Sequence, residues 1–375
     1  MGKSVLLKQH LERLFEQGLK KKHAFFVDKE SLEFEDIATY RDLDRAVKKQ
    51  LGGRRGYKCL FVDEIQEIQE WEKAIVSLAK MPGLDIYISG SNASMLSSEL
   101  ASNLSGRYVE FKIYPLTLDE FLTFRQKTIA DAKNEFLNYV KYGGLPAVHY
   151  FPLRDEVIYQ YIRSLYSTIL LKDIVQRYQI RNTILLENLM QYICDNVGNL
   201  FSANRVVDYL KTQRLSMSTN TVVSYVAHFE AAHLISKALR YDLKGKKHLE
   251  FVCKYFLGDI GLRHALIGFR ESELAGVLEN IVYLDLLGRG YNVSVGKFGE
   301  KEIDFIAVKD NKKIYIQVAY ALSSKQTVKR EFEPLLDIRD NYPKYVLSLD
   351  EFFGGDYAGI KRIHIIDFLL NRDEL

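Results

Sequence analysis

The sequence predicts an α/β chain of more than one domain, on three observations. The apolar stretch Lys58-Cys59-Leu60-Phe61-Val62 ends in the carboxylates Asp63 and Glu64 and stands among helical patterns, as a helix-covered sheet requires. A second alternation of helix and strand returns after residue 259. The 375 residues, 47% apolar and 27% charged, suffice for two or three cores. The expected division is an α/β sheet domain over 1–125, a helical connector over 126–189, a helix–helix–hairpin domain over 190–258, and a second α/β domain over 259–375.

Composition excludes several classes. With 52 basic and 49 acidic residues the formal net charge is +3, too small for wholesale wrapping of nucleic acid, so any such contact is a local patch. Cys59, Cys194 and Cys253 are odd in number and lack CxxC spacing, which suggests neither a disulfide framework nor a zinc site. No apolar run approaches the ~20 residues of a membrane helix, and the N-terminus has no export-type apolar region. No membrane partner is expected, and the cytoplasm is the expected location.

The first element opens with Gly2-Lys3-Ser4 and a helical pattern through Leu14. It reads as the end of a GxxxxGK[ST] phosphate-binding loop entering its helix. In that role Gly2 and the helix N-terminus offer backbone N–H groups to phosphate, Lys3 meets the β- and γ-phosphates, and Ser4 ligates Mg²⁺. Taken alone, the tripeptide reads better as a chance occurrence. The strand ending at Asp63-Glu64 is a stronger signal and suits a Walker B strand. There the first acid reaches the Mg²⁺ shell and the second orients and deprotonates the attacking water.

A third strand, Asp85-Ile86-Tyr87-Ile88, runs into Ser89-Gly90-Ser91-Asn92. Asn92 reads either as a sensor holding the attacking water or as the N-cap of a helix from Ala93 to Glu99. Arg107 stands in the loop before an expected strand, Tyr108 to Ile113. It reads equally as a group that neutralises charge on the phosphates or as a solvated surface residue.

These residues carry a family resemblance. The run Leu60 to Gln66, Ser-Gly-Ser-Asn at 89–92, Gly106-Arg107 leading to Tyr114-Pro115-Leu116-Thr117, and Tyr142-Gly143-Gly144-Leu145-Pro146 resemble the prokaryotic AAA-type P-loop ATPases that carry an uncharacterised C-terminal domain. The resemblance covers essentially the whole chain. It implies binding of ATP with Mg²⁺, ATP hydrolysis and a conformational switch, and it leaves open whether Arg107 acts within its own subunit or on a neighbour in a homo-oligomer. Members of that family carry a full strand and a Gly-rich loop before the GKS, whereas here only Met1 precedes Gly2. The sheet is therefore expected to lack its first strand, and the nucleotide site to be incomplete, through a start assigned too far downstream. Weak ATP binding or none is the corresponding expectation.

From Leu118 to Met190 the pattern is helical, broken at Gly143-Gly144-Leu145-Pro146. Residues Phe201 to Asp259 have winged-helix order: Ser202 caps a helix through Lys211, Ser218 caps another to Ala232, and a hairpin spans Leu234 to Leu257. The hairpin turn, Asp242 to His248, is basic as a wing touching DNA phosphates should be. The second helix offers Asn220, Thr221, Ser224 and His228 but no Arg or Lys, which is poor for base readout. Packing or protein contact is the alternative use.

The last region, with a helix from Ala275 to Leu287 and strands holding Asp304 and Gln317, resembles the PD-(D/E)xK nuclease fold. In active members a helix Glu, a strand Asp and a following (D/E)xK gather Mg²⁺. Glu279 and Asp304 occupy the first two places, as candidate metal ligands or as ordinary solvated acids. Gln317-Val318-Ala319 replaces the last motif with an amide and a methyl, so little phosphodiester cleavage is expected. Two further functions stand beside the ATPase reading: a nucleic-acid-binding module or catalytically dead nuclease-like protein, and a decayed defence- or mobile-element-related product.

Overall fold

The computed structural model describes residues 2–91, 107–351 and 355–371. The chain forms two compact units, Met1–Ile113 and Tyr114–Leu375.

In the first unit, α1 (Lys3–Glu16) precedes a parallel sheet of β1 (Ala24–Asp28), β2 (Lys58–Asp63) and β3 (Leu84–Ile88), in the order β1-β2-β3. The crossovers contain α2 (Tyr40–Leu51) and α3 (Trp71–Leu78). Every residue of the central strand β2 is buried, which is why it reads as an unbroken apolar run. Leu60 and Val62 join Leu43, Val47, Leu51, Ile75 and Leu78 in the core. Alternation turns Phe61 to the opposite face, where it stacks between Phe26 and Tyr87 at 6.0 and 4.7 Å between ring centroids. His10 of α1 meets Tyr87 edge-on at 4.7 Å. A capping box, in which the Thr39 N–H donates to Asp42 Oδ2 at 3.0 Å, fixes the start of α2.

Residues 108–113, expected as a strand, are irregular; Val109 and Phe111 are 76% and 81% exposed. The period-2 pattern is present, but a strand needs a partner, and among the described residues β3 pairs only with β2.

The second unit begins with α4 (Leu118–Phe124), α5 (Ala132–Tyr142), α6 (Asp155–Ile169) and α7 (Thr183–Asp195). Helix α6 buries Ile158, Tyr159, Ile162 and Tyr166 at three- and four-residue spacing, then loosens into a π-helix over Leu170–Gln176 that buries Leu170, Asp173 and Ile174. The Gly143-Gly144 pair stops α5 for a steric reason. Gly143 has φ +76°, and a side chain there would strike the Asp259 carboxylate; one at Gly144 would strike the Leu116 backbone.

Helices α8 (Ala203–Thr212) and α9 (Thr219–Ala231) start where Ser202 and Ser218 accept from Arg205 N at 3.4 Å and Thr221 N at 3.1 Å. The hairpin of β4 (Ile235–Asp242) and β5 (Lys247–Leu257) follows, then α10 (Ile260–Ile267) and α11 (Leu274–Gly288). Next come β6 (Asn292–Phe298), β7 (Lys301–Lys309), β8 (Lys312–Val318), α12 (Lys325–Leu336), β9 (Lys344–Ser348), β10 (Asp356–Tyr357), β11 (Ile360–His364) and α13 (Ile365–Leu370).

The hairpin is not a separate wing. β4 pairs antiparallel with β5 and, over Arg240–Asp242, parallel with Val295–Lys297 of β6, giving one eight-stranded sheet in the order β10-β11-β9-β8-β7-β6-β4-β5. One apolar cluster runs from Leu118 to Leu369, so the structure does not separate 190–258 from 259–375. Helix α11 packs on one face through Val277, Leu278, Ile281 and Val282. On the other face, Phe332 and Leu335 of α12 meet Ile303, Tyr315 and Val346.

Candidate functional site

At the carboxyl ends of the parallel strands, where open α/β sheets place ligands, Asp63 ends β2 with 1% exposure. Ser89, just past β3, donates its hydroxyl to Asp63 Oδ1 and accepts the Glu64 N–H at 3.3 Å. Glu64 has φ 53°, a left-handed conformation that is uncommon for a residue with a side chain. The turn points its carboxylate at Gln66, whose Nε2 donates to Glu64 Oε2 and lies 3.2 Å from Ser91 Oγ. From the other side Lys3 Nζ donates to the Gly90 carbonyl at 2.6 Å. Gly2, at φ 81°, is the N-cap of α1, and no side chain caps this helix. Ser4 is half-buried in its first turn. An uncapped helix N-terminus, a lysine and a buried strand-end carboxylate fit the charges of a magnesium-bound polyphosphate.

Lys3, Asp63, Glu64 and the Ser89–Ser91 turn thus meet at one sheet edge. Arg107 is exposed and makes no ion pair among the described residues. Asn92 and the helix expected from Ala93 to Glu99 lie outside the described residues.

The second unit holds a centre of another kind. Lys254 of β5 is 2% exposed, and its Nζ lies 3.0 Å from Glu279 of α11, and 2.8 and 3.9 Å from Glu302 and Asp304 of β7. Burial by itself lowers the Lys254 pKa, but Glu279, Asp304 and Glu302 outweigh it and hold the ammonium charged, well above the ordinary lysine range. Asp304 is pushed up by burial and by Glu279, although Val318 N–H donates to its Oδ2 at 2.8 Å. Gln317 accepts from Asp304 N at 2.9 Å and donates to Glu331 Oε2 at 3.0 Å. Arg240 reaches Glu302 at 3.4 Å. Glu279 and Asp304 are therefore not ordinary solvated acids: their side chains are 14% and 10% exposed. Beside them stand a buried ammonium, that of Lys254, and a further carboxylate, that of Glu302. Among the described residues no group of three His, Cys, Asp or Glu side chains is disposed to hold a metal ion.

Residues 1–122 match the family described as an AAA domain, and residues 133–273 match a domain of unknown function, DUF8612. An uncharacterized protein of Haemophilus influenzae (strain ATCC 51907 / DSM 11121 / KW20 / Rd) is 37% identical over 374 residues, 98% of this chain and 92% of its own length. The chain belongs to that protein's family. An uncharacterized protein of Methanocaldococcus jannaschii is 29% identical over 282 residues, spanning 71% of this chain and 62% of its own length. Among solved structures, a Walker-type ATPase of Pyrococcus abyssi aligns with 65% of this chain and 83% of its own at a TM-score of 0.40 and 12% identity.

The AAA match covers the first unit, so this family member carries an AAA-type P-loop domain there. The match from 133 to 273 takes in Gly143-Gly144, Lys254 and Asp259 but names no chemistry. No helix of the described residues is long and apolar enough to cross a membrane.

Proposed function

We propose that this protein binds ATP with Mg²⁺ at the carboxyl edge of the β1-β2-β3 sheet and couples hydrolysis to a conformational switch. The observation that carries the reading is the meeting of Lys3, Asp63 and Glu64 around the Ser89–Gly90 turn. Gly2 and the first turn of α1 take the phosphates through backbone N–H groups, Lys3 takes the β- and γ-oxygens, and Ser4 with Asp63 holds the metal. Glu64 orients and deprotonates the attacking water, Asn92 senses the γ-phosphate, and Arg107 neutralises charge in the transition state. Bound Mg²⁺ supplies charge neutralisation across the β- and γ-phosphates. Lys3 must leave the Gly90 carbonyl to reach a phosphate, a cost that makes the expected affinity low.

The test is calorimetric titration with MgATP, together with phosphate release, for the parent chain, Lys3→Ala, Asp63→Asn and Glu64→Gln. Weak, Mg²⁺-dependent binding abolished by Lys3→Ala and Asp63→Asn, with turnover lost in Glu64→Gln, is expected. No binding by the parent, or binding indifferent to Lys3 and Asp63, removes the reading.

A second reading, nucleic-acid binding by the nuclease-like second unit, is favoured by one observation: the β4–β5 turn presents Lys244, Lys246 and Lys247 to solvent. Salt-dependent DNA binding lost on replacing the three lysines, with ATP binding unchanged, separates it from the first.

A further inference from the structure

Lys254 is fixed from both sides of β5. It pairs with Ala238 of β4 in the sheet and bridges to Leu200 on the other side, while the Phe201 N–H donates to the Cys253 carbonyl at 2.9 Å. Its side chain then reaches the place where α11 and β7 bring Glu279, Glu302 and Asp304 together. Glycines let α11 come close. A side chain at Gly276 would strike the Val197 carbonyl, and one at Gly198 would crowd Gly276 and Glu279. Around the centre stand Arg240, 3.4 Å from Glu302, and the pair Gln317–Glu331, with Arg330 Nε 2.8 Å from Glu331.

Three carboxylates drawn from a helix and a strand surround one buried ammonium, and in the native chain they are not disposed to hold a metal ion. Here the contacts of 2.8, 3.0 and 3.9 Å are hydrogen-bond and ion-pair lengths to nitrogen, longer than the roughly 2.0–2.6 Å of Mg²⁺ or Ca²⁺ to oxygen. We propose that Lys254 is a built-in cation: its ammonium holds the place of a divalent metal among Glu279, Glu302 and Asp304. The native chain thereby keeps the centre closed to Mg²⁺ and Mn²⁺, and replacing Lys254 opens a metal site there.

The argument is one of competition. A metal ion entering the native centre must displace a buried ammonium from its carboxylate partners, and a buried charge stripped of its partners is strongly unfavourable. The tethered ammonium also gives up no translational freedom on binding, whereas a free ion does. Removing the ammonium leaves the buried Asp304, the largely buried Glu279 and the partly exposed Glu302 to repel one another, and a divalent cation is the hard, oxygen-seeking charge that satisfies them. This holds whether or not the first unit binds ATP.

The experiment compares the parent chain with Lys254→Met and the milder Lys254→Gln, measuring Mn²⁺ binding by calorimetry and thermal melting in EDTA and in MnCl₂. The parent is expected to ignore Mn²⁺. The variants are expected to melt lower in EDTA, to regain stability in MnCl₂, and to bind Mn²⁺ about ten-fold or more tightly than the parent. Adding Asp304→Asn to Lys254→Gln should abolish that gain. Mn²⁺ binding by the parent that Asp304→Asn removes overturns the proposal. So does a cooperatively folded variant that gains no Mn²⁺ binding. Failure of both variants to fold with or without Mn²⁺ also overturns it, because the metal is then no substitute for the ammonium.

Discussion

Asp259 Oδ2 accepts the Gly144 N–H at 2.8 Å across 115 residues of chain, while its Oδ1 accepts the Gly261 N–H at 2.8 Å. One fully buried carboxylate thus caps α10 and fixes the turn after α5. Burial raises its pKa to about 6 against the lowering effect of the Gly144, Gly261 and Leu262 N–H groups. A raised carboxyl contributes stability that is complete below its unfolded pKa and is lost as pH rises through the folded value. Stability should therefore fall by about 2 kcal/mol from this group between pH 4 and 7. Asp259→Asn should remove that slope while costing roughly 1–3 kcal/mol for the lost acceptor at Gly144. Urea midpoints across this pH range read both.

His149 gives a slope of opposite sign. Its two ring nitrogens are buried without hydrogen bonds beside Phe121 and Phe124, and burial, aided by Arg125, lowers its pKa to about 4. A depressed imidazole contributes stability that is present above its unfolded pKa, near 6.5, and lost as pH falls through 4. His149→Phe should flatten the acid side of the profile and raise stability by about 1 kcal/mol at pH 7, because two unpaired polar atoms leave the core. An unchanged acid midpoint would refute this.

Asn280 clamps the end of β5. Its Oδ1 accepts the Leu257 N–H at 2.7 Å and its Nδ2 donates to the Leu257 carbonyl at 3.1 Å, all fully buried. Asn280→Leu leaves both backbone groups unpaired and should cost about 2–5 kcal/mol. Thermal melting followed by far-UV circular dichroism measures it.

Trp71, the sole tryptophan, is 5% exposed in the core of the first unit. Its fluorescence therefore reports that unit alone. Asn280→Leu should move the dichroism transition and leave the tryptophan transition in place; a matched shift in both would mean that the two units unfold together.

Much of this was legible because it is local. The run ending at Asp63 is buried on both faces and so uniformly apolar, and Ser202 and Ser218 cap helices because capping needs only neighbours in sequence. Tyr108–Ile113 misled because alternation fixes which face a residue takes but supplies no partner strand. Lys254 was invisible, since a lysine in β5 looks like the solvated face of a hairpin until α11 and β7 arrive from later in the chain. Asp259 reads as an ordinary N-cap, and its second acceptor role depends on Gly144, far away in sequence. Gln317 looked like a lost acid, yet both ends of its amide are engaged, by Asp304 and Glu331.

The joining of β4 to β6 bears on how such a protein evolves. A recombination point placed at residue 258 would hand one product a strand stripped of its parallel neighbour, and the other a sheet ending in a raw border at β6. Helices α8 and α9 with their hairpin are thus not a cassette to be traded among proteins. A change in the hairpin is felt by the sheet it helps to build, and a change in β6 is felt by the hairpin.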